Sequence, residues 1–228
     1  MSTFALIHGG GGNAWDWHLV EPELARRGHA SVAIDLPIEA PEATLEDHAA
    51  AMVAALDGHD EVIVVGHSLG GMVAPLVADV LGPRARGLVF VAGMVPRFGE
   101  TFGEWWEGVD HAAAVAERDA REGAPPEGDV ETFLQDADPV LAAEALSRAR
   151  DPHEHALSLP WPLRQMPRIP TWSLLCRQDR MFPAPLMRRV AHDRLGVTCD
   201  EMDGGHMPML SRPVDLAERL AGYAEATA

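Results

Sequence analysis

The chain has 228 residues, the length of one domain with room for an inserted segment. All 18 of its basic residues are arginine, and the absence of lysine excludes a Walker A phosphate loop, a pyridoxal Schiff base and the tyrosine–lysine pair of short-chain dehydrogenases. Against those 18 stand 35 Asp plus Glu, a formal charge of −17 that disfavours nucleic acid and anionic membrane as partners and points to a small-molecule substrate.

Hydrophobic residues make up 47% of the chain, enough for a core, yet no stretch approaches the ~18 apolar residues of a membrane span. The N-terminus, Met1-Ser2-Thr3-Phe4, lacks the basic region and cleavage site of a signal peptide, so a soluble, cytoplasmic protein is expected, with self-association as a homodimer left open. Cys176 and Cys199 are too few for a disulfide framework and sit in apolar runs, where buried thiols are expected.

The first predicted strand, Thr3 to Ile7, runs into His8-Gly9-Gly10-Gly11-Gly12, followed by a helix from Trp17 to Arg27. A strand from Ser31 to Ile34 and a helix from Leu45 to Leu56 come next, the latter with Thr44 and Asp47 spaced as a capping box. The third strand, Val62 to Val65, leads through Gly66-His67-Ser68-Leu69-Gly70 into a helix from Leu69 to Leu81, in which Pro75 should produce a kink. A fourth strand, Leu88 to Ala92, precedes a break in the alternation from Arg97 to Pro167. This insertion holds 15 acidic and 6 basic residues, so it carries −9 of the net charge. It reads as a cap over the carboxyl edge of the sheet, where ligands of open α/β sheets bind. The alternation then resumes with strands at Thr171 to Cys176 and Val197 to Glu201 and helices at Pro185 to Leu195 and Pro213 to Ala226. Six near-continuously apolar strands with crossover helices specify a doubly wound, mainly parallel sheet. Its core comprises residues 1–96 and 168–228, and the cap is residues 97–167.

Gly66-His67-Ser68-Leu69-Gly70 is G-x-S-x-G in the strand–turn–helix setting that gives this motif meaning, because small neighbours let strand and helix approach while Ser68 points outward. The competing reading of Ser68 as a helix cap is structural only. A serine nucleophile needs a base and an acid that orients the base, in chain order after it. Asp179 follows the fifth strand and His206 the sixth; Asp200 and Asp203 are weaker acids, lying beside the strand that delivers His206, and the elbow should hold His67 facing away from Ser68. Backbone amides of Gly10 and Leu69 are the expected oxyanion donors.

The four glycines also satisfy G-x-G-x-x-A with Asp35 farther on, a dinucleotide fingerprint. His8 in front of the glycines and bulky Trp15 and Trp17 behind them argue against it, and it leaves Ser68, Asp179 and His206 without a role. His153 and His155 beside Asp151 form the best local metal cluster, but with no further ligand nearby they read as cap surface, so no metal and no cofactor is expected. Of the cap aromatics, Trp105, Trp106 and Trp161 are candidates for substrate contact, together with Met207 next to the base.

Three stretches, FALIHGGGGNAWDW (4–17), VIVVGHSLGGM (62–72) and GHMPMLSRP (205–213), resemble the α/β-hydrolase superfamily, and within it the branch of plant-type methyl esterases and hydroxynitrile lyases. The resemblance implies the α/β-hydrolase fold, Ser68, Asp179 and His206 as triad, Gly10 and Leu69 as oxyanion donors, and no cofactor. It does not extend to the cap. The cyanohydrin-cleaving members depend on a threonine after the first His of the glycine loop and a lysine after the catalytic His. Here these positions are Gly9 and Met207, so the resemblance implies an esterase, acting on a small neutral or apolar ester, thioester or lactone through an acyl-enzyme.

Overall fold

The computed structural model describes residues 1–227. Six strands form one sheet, β1 (Thr3–Ile7), β2 (Ala30–Ala33), β3 (Val62–His67), β4 (Ala85–Val91), β5 (Thr171–Cys176) and β6 (Asp200–Met202), in the order β2-β1-β3-β4-β5-β6. Every neighbouring pair is parallel, so the sheet is wholly rather than mainly so. Alternating side chains feed two cores: Ala5, Ile7, Val62, Val64, Leu88 and Phe90 face one layer, while Phe4, Leu6, Ile63, Val65, Val89 and Val91 face the other. The first layer is closed by α2 (Leu45–Ala55), α3 (Gly70–Leu81) and α9 (Ala184–Leu195), the second by α1 (Val20–Arg26) and α11 (Pro213–Glu225). Both strand faces are covered, which explains the continuous apolar runs.

Three predicted elements differ from those observed, β4 starting at Ala85 rather than Leu88. The helix expected over Trp17 to Arg27 is a 3-10 turn, Ala14–Trp17, followed by α1. Pro22 cannot donate to a preceding carbonyl, so it sits in the first turn of a new helix. The last strand is Asp200–Met202, shifted toward the C-terminus. Val197 is consumed by the end of α9, where Gly196 adopts a left-handed conformation and the Val197 amide returns to Ala191 O at 3.4 Å. Helix α3 runs through Pro75 as one element.

Five helices stand between β4 and β5: α4 (Phe102–Gly108), α5 (His111–Glu122), α6 (Asp129–Phe133), α7 (Pro139–Ser147) and α8 (Glu154–Ser158). Trp105 and Trp161 root this insertion in the first core. Both are essentially inaccessible, and their indole N–H groups donate to Val95 O at 3.0 Å and Met72 O at 2.9 Å. A buried ion pair between Glu100 and Arg194 of α9, 2.5 Å, closes the same end. His153 acts locally, its Nδ1 accepting the His155 amide at the start of α8. Among the described residues no helix is long and apolar enough to cross a membrane. Both cysteines are buried and free.

Candidate active site

Strand order reverses at β1, whose two neighbours, β2 and β3, come later in the chain. The loops leaving β1 and β3 therefore diverge at their carboxyl ends and open a crevice. The glycine loop leaves β1 there, and the turn bearing Ser68 leaves β3.

Ser68 has φ of 50°, a left-handed conformation that a serine adopts only when its surroundings impose it. The surroundings are glycines. A Cβ on Gly66 would lie 2.5 Å from Gly70 O, and one on Gly70 would lie 2.6 Å from His8 O, so neither position accepts a side chain. The amides of Gly71 and Met94 hold Ser68 O at 3.0 and 2.9 Å, fixing the turn from both sides.

Ser68 Oγ lies 3.0 Å from His206 Nε2, and His206 Nδ1 lies 2.9 Å from Asp179 Oδ2. The Asp179 carboxylate can only accept, so Nδ1 carries the proton and Nε2 offers its lone pair to the serine. The second oxygen of Asp179 accepts from the amides of Met181 at 2.8 Å and Phe182 at 2.9 Å, which orients the carboxylate. Asp179 and His206 are both 3% exposed, and Phe133 and Phe182 pack against the imidazole. Asp203 turns elsewhere, to Arg177 at 2.9 Å, and Asp200 accepts from Tyr223 at 2.9 Å.

His67 does more than the motif suggested. Its Nε2 donates to His206 O at 2.8 Å and its ring lies 4.9 Å from that of His206. Burial holds its pKa well below the usual histidine range, so it is a neutral strut under the histidine loop. His8 is a second neutral strut. Nδ1–H donates to Gly9 O at 2.8 Å, Nε2 accepts the Leu36 amide at 3.1 Å, and burial pulls its pKa down to about 4.

A cavity of about 250 Å³ lies over Ser68. Gly10 and Leu69 line it, and among the described residues their amides have no protein acceptor. Apolar side chains supply most of the wall: Met94, Phe102, Trp106, Phe133, Leu134, Leu146, Leu157, Met181 and Met207. Of the residues expected to contact substrate, Trp106 and Met207 line the cavity. Trp105 and Trp161 do not line the cavity, and the expectation that they contact substrate is corrected: their hydrogen-bonded indoles are spent rooting the insertion. No arginine lines the cavity; Arg97 and Arg164 are exposed.

Three groups escaped the sequence reading. In the segment after α6, Gln135 Nε2 donates to Gln178 O at 2.9 Å and Asp136 Oδ2 accepts the Gly205 amide at 2.8 Å. These bonds fall one residue before Asp179 and one before His206. The third is Asp16, which lies in the cavity wall with 5% exposure. Burial pushes its carboxyl up to about 6, the Asn13 amide bond opposes that shift, and the Asp35 charge adds to it. The cue for Asp16 was the Asn13-x-x-Asp16 spacing of a capping box. Asp35, the acid of the dinucleotide fingerprint, accepts the Ala14 amide at 2.8 Å instead.

Residues 4–219 match the alpha/beta hydrolase family. Among curated proteins, the chain is 35% identical over 106 residues to methylesterase 9 of Arabidopsis thaliana, covering 42% of this chain and 41% of that one. It is 32% identical over 110 residues to a carbendazim hydrolyzing esterase of Nocardioides sp., covering 44% and 46%. These alignments span under half of the relatives' length. A third, to norfluorocurarine synthase 2 of Strychnos nux-vomica, is 27% identical and covers 97% of this chain and 95% of that one. Polyneuridine aldehyde esterase superposes with a TM-score of 0.79 at 19% identity, over 98% of this chain and 99% of that one. A pyrethroid hydrolase from Sphingobium faniae gives 0.76 at 20% identity, over 99% and 98%. With its parallel sheet, its serine turn after β3 and a family match over nearly its whole length, the chain belongs to the alpha/beta hydrolase family.

Proposed function

We propose that the chain is a cofactor-independent serine esterase that cleaves a small, largely apolar carboxylic ester through an acyl-enzyme. One observation carries this reading: the unbroken Ser68–His206–Asp179 hydrogen-bond chain opening into an apolar cavity. His206 Nε2 takes the Ser68 proton as Oγ attacks the ester carbonyl, and Asp179 stabilises the resulting imidazolium. The Gly10 and Leu69 amides receive the oxyanion. Collapse expels the alcohol, protonated by His206. Water activated by the same imidazole then releases the acid. The named esterases among the relatives support the reaction class.

Cyanohydrin cleavage is disfavoured. A Cβ at Gly9 would lie 3.0 Å from both His67 Nδ1 and Ser68 Cβ, so a threonine there would require His67 or Ser68 to shift, and Met207 provides no cation. In the test, the protein turns over short p-nitrophenyl esters and a fluorophosphonate labels Ser68. Ser68→Ala should abolish labelling and lower kcat by at least about 10³-fold with the fold unchanged. Unaltered turnover in Ser68→Ala refutes the mechanism; absence of both turnover and labelling in the parent favours a binding protein.

A further inference from the structure

The chain has three capping boxes built with a carboxylate. In two of them, Thr44 with Asp47 and Thr101 with Glu104, the carboxylate is in solvent, and the bonds it accepts lower its pKa. In the third, Asn13 with Asp16, the carboxylate is inside the cavity that holds Ser68. Its Oδ2 accepts the Asn13 amide at 3.2 Å, and among the described residues no hydrogen bond is made by its Oδ1. No arginine or lysine lines the cavity, and Asp35 adds a second negative charge nearby rather than a balancing one. The Asn13 side chain is held by two bonds, Oδ1 accepting from the Trp15 amide at 3.0 Å and Nδ2 donating to Arg148 O at 2.9 Å, and it brings no charge to the cavity.

Capping this turn needs one neutral acceptor, which asparagine or serine would supply without burying a charge. A lone carboxylate in an apolar wall is costly unless something pairs with it. Its protein surroundings provide no cation, which leaves the ligand to provide one. The Gly10 and Leu69 amides are reserved for the reacting carbonyl in the proposed mechanism.

We infer that Asp16 is a specificity residue that binds an ammonium group on the non-reacting part of the substrate, making the preferred ester an amine-bearing one. This rests on the esterase reading above. An ammonium has three or fewer N–H donors and a full charge, and in this low-dielectric wall its pairing with Asp16 would be worth far more than on the surface. The cavity excludes anions for the same reason.

Two isosteric pairs of esters test this near neutral pH, one with the amine on the alcohol side and one on the acyl side. The first is 2-(dimethylamino)ethyl against 3-methylbutyl butyrate. The second is methyl 4-(dimethylamino)butyrate against methyl 5-methylhexanoate. In at least one pair the cationic ester should be preferred in kcat/KM by about tenfold or more, and Asp16→Asn, which keeps the capping acceptor, should bring that ratio close to one. A preference for the neutral ester in both pairs, or a ratio unmoved by Asp16→Asn, overturns the inference. Turnover of the neutral esters reports separately on the esterase reading. If none of the four is turned over, calorimetric binding of the two amine esters to Ser68→Ala, with and without Asp16→Asn, decides the Asp16 role. Loss of binding with the second substitution supports it, and equal or absent binding overturns it.

Discussion

Asp16 should destabilise the fold above pH 6, and Asp16→Asn should reveal by how much. Its carboxyl has a pKa near 3.8 when exposed and about 6 in the folded chain. The folded state therefore holds this proton more tightly than the unfolded state. As pH rises from about 4 to 6 the unfolded chain gives up the proton first, so stability falls across that window and stays low above it. At 1.36 kcal/mol per pH unit, the shift corresponds to about 3 kcal/mol. Asp16→Asn has no proton to lose, so its stability relative to the parent should grow by about 2 kcal/mol between pH 4 and pH 7, whatever constant offset the amide introduces. His8, whose pKa falls from 6.5 to about 4, works in the opposite sense: its stabilisation is lost as pH falls through the same window. Both proteins contain His8, so it cancels in the difference. Urea titrations of the two proteins at several pH values measure this directly; in thermal melts the gain corresponds to about 2–4 °C per kcal/mol. Stability curves that run parallel within about 0.5 kcal/mol across the window would refute the burial argument.

Two further substitutions separate strain from positioning. Ser68→Gly removes the left-handed strain at φ 50°, and should raise stability by about 1 kcal/mol in urea titrations while eliminating esterase turnover. Asp136→Ala releases the Gly205 amide beside His206, and should lower kcat by about ten- to a hundredfold with KM within about twofold. Asp136→Asn, which keeps an acceptor, should recover most of that loss; equal effects of the two variants would reduce Asp136 to a structural contact.

The sheet was legible because burial on both faces leaves unbroken apolar runs, as at Val62 to Val65. The elbow was legible because a strained serine demands glycines at fixed, local spacing. Asp179 and His206 were reachable through chain order after their strands. What failed was decided by competition between neighbours. Val197 looks like the start of a strand, yet the left-handed Gly196 recruits its amide to cap α9. Trp105 and Trp161 look like pocket aromatics, yet their N–H groups find carbonyls in the core. Asp136 could not be read at all, because its partner Gly205 lies 69 residues away and neither residue carries a local signature of the contact. Asp16 was not legible because a capping-box spacing after the oxyanion loop does not show that its carboxylate ends in a cavity wall.

The insertion is tied to the catalytic loops at several places: His111 and Arg118 of α5 bind Met181 O and Arg180 O beside Asp179, and two further contacts flank α7. Gln135 and Asp136 hold the acid and histidine loops, while Arg148 O and the Arg150 amide bind the Asn13 side chain and Gly11 O of the glycine loop, at 2.9 and 2.8 Å. Helix α7 is slung between these moorings like the span of a bridge. For protein engineering this means the cap is not an interchangeable part. A chimera that imports a relative's cap to change substrate range would cut the cables that align acid, base and oxyanion loop, unless residues 134–137 and 148–150, with His111, Arg118 and Glu131, travel with the host.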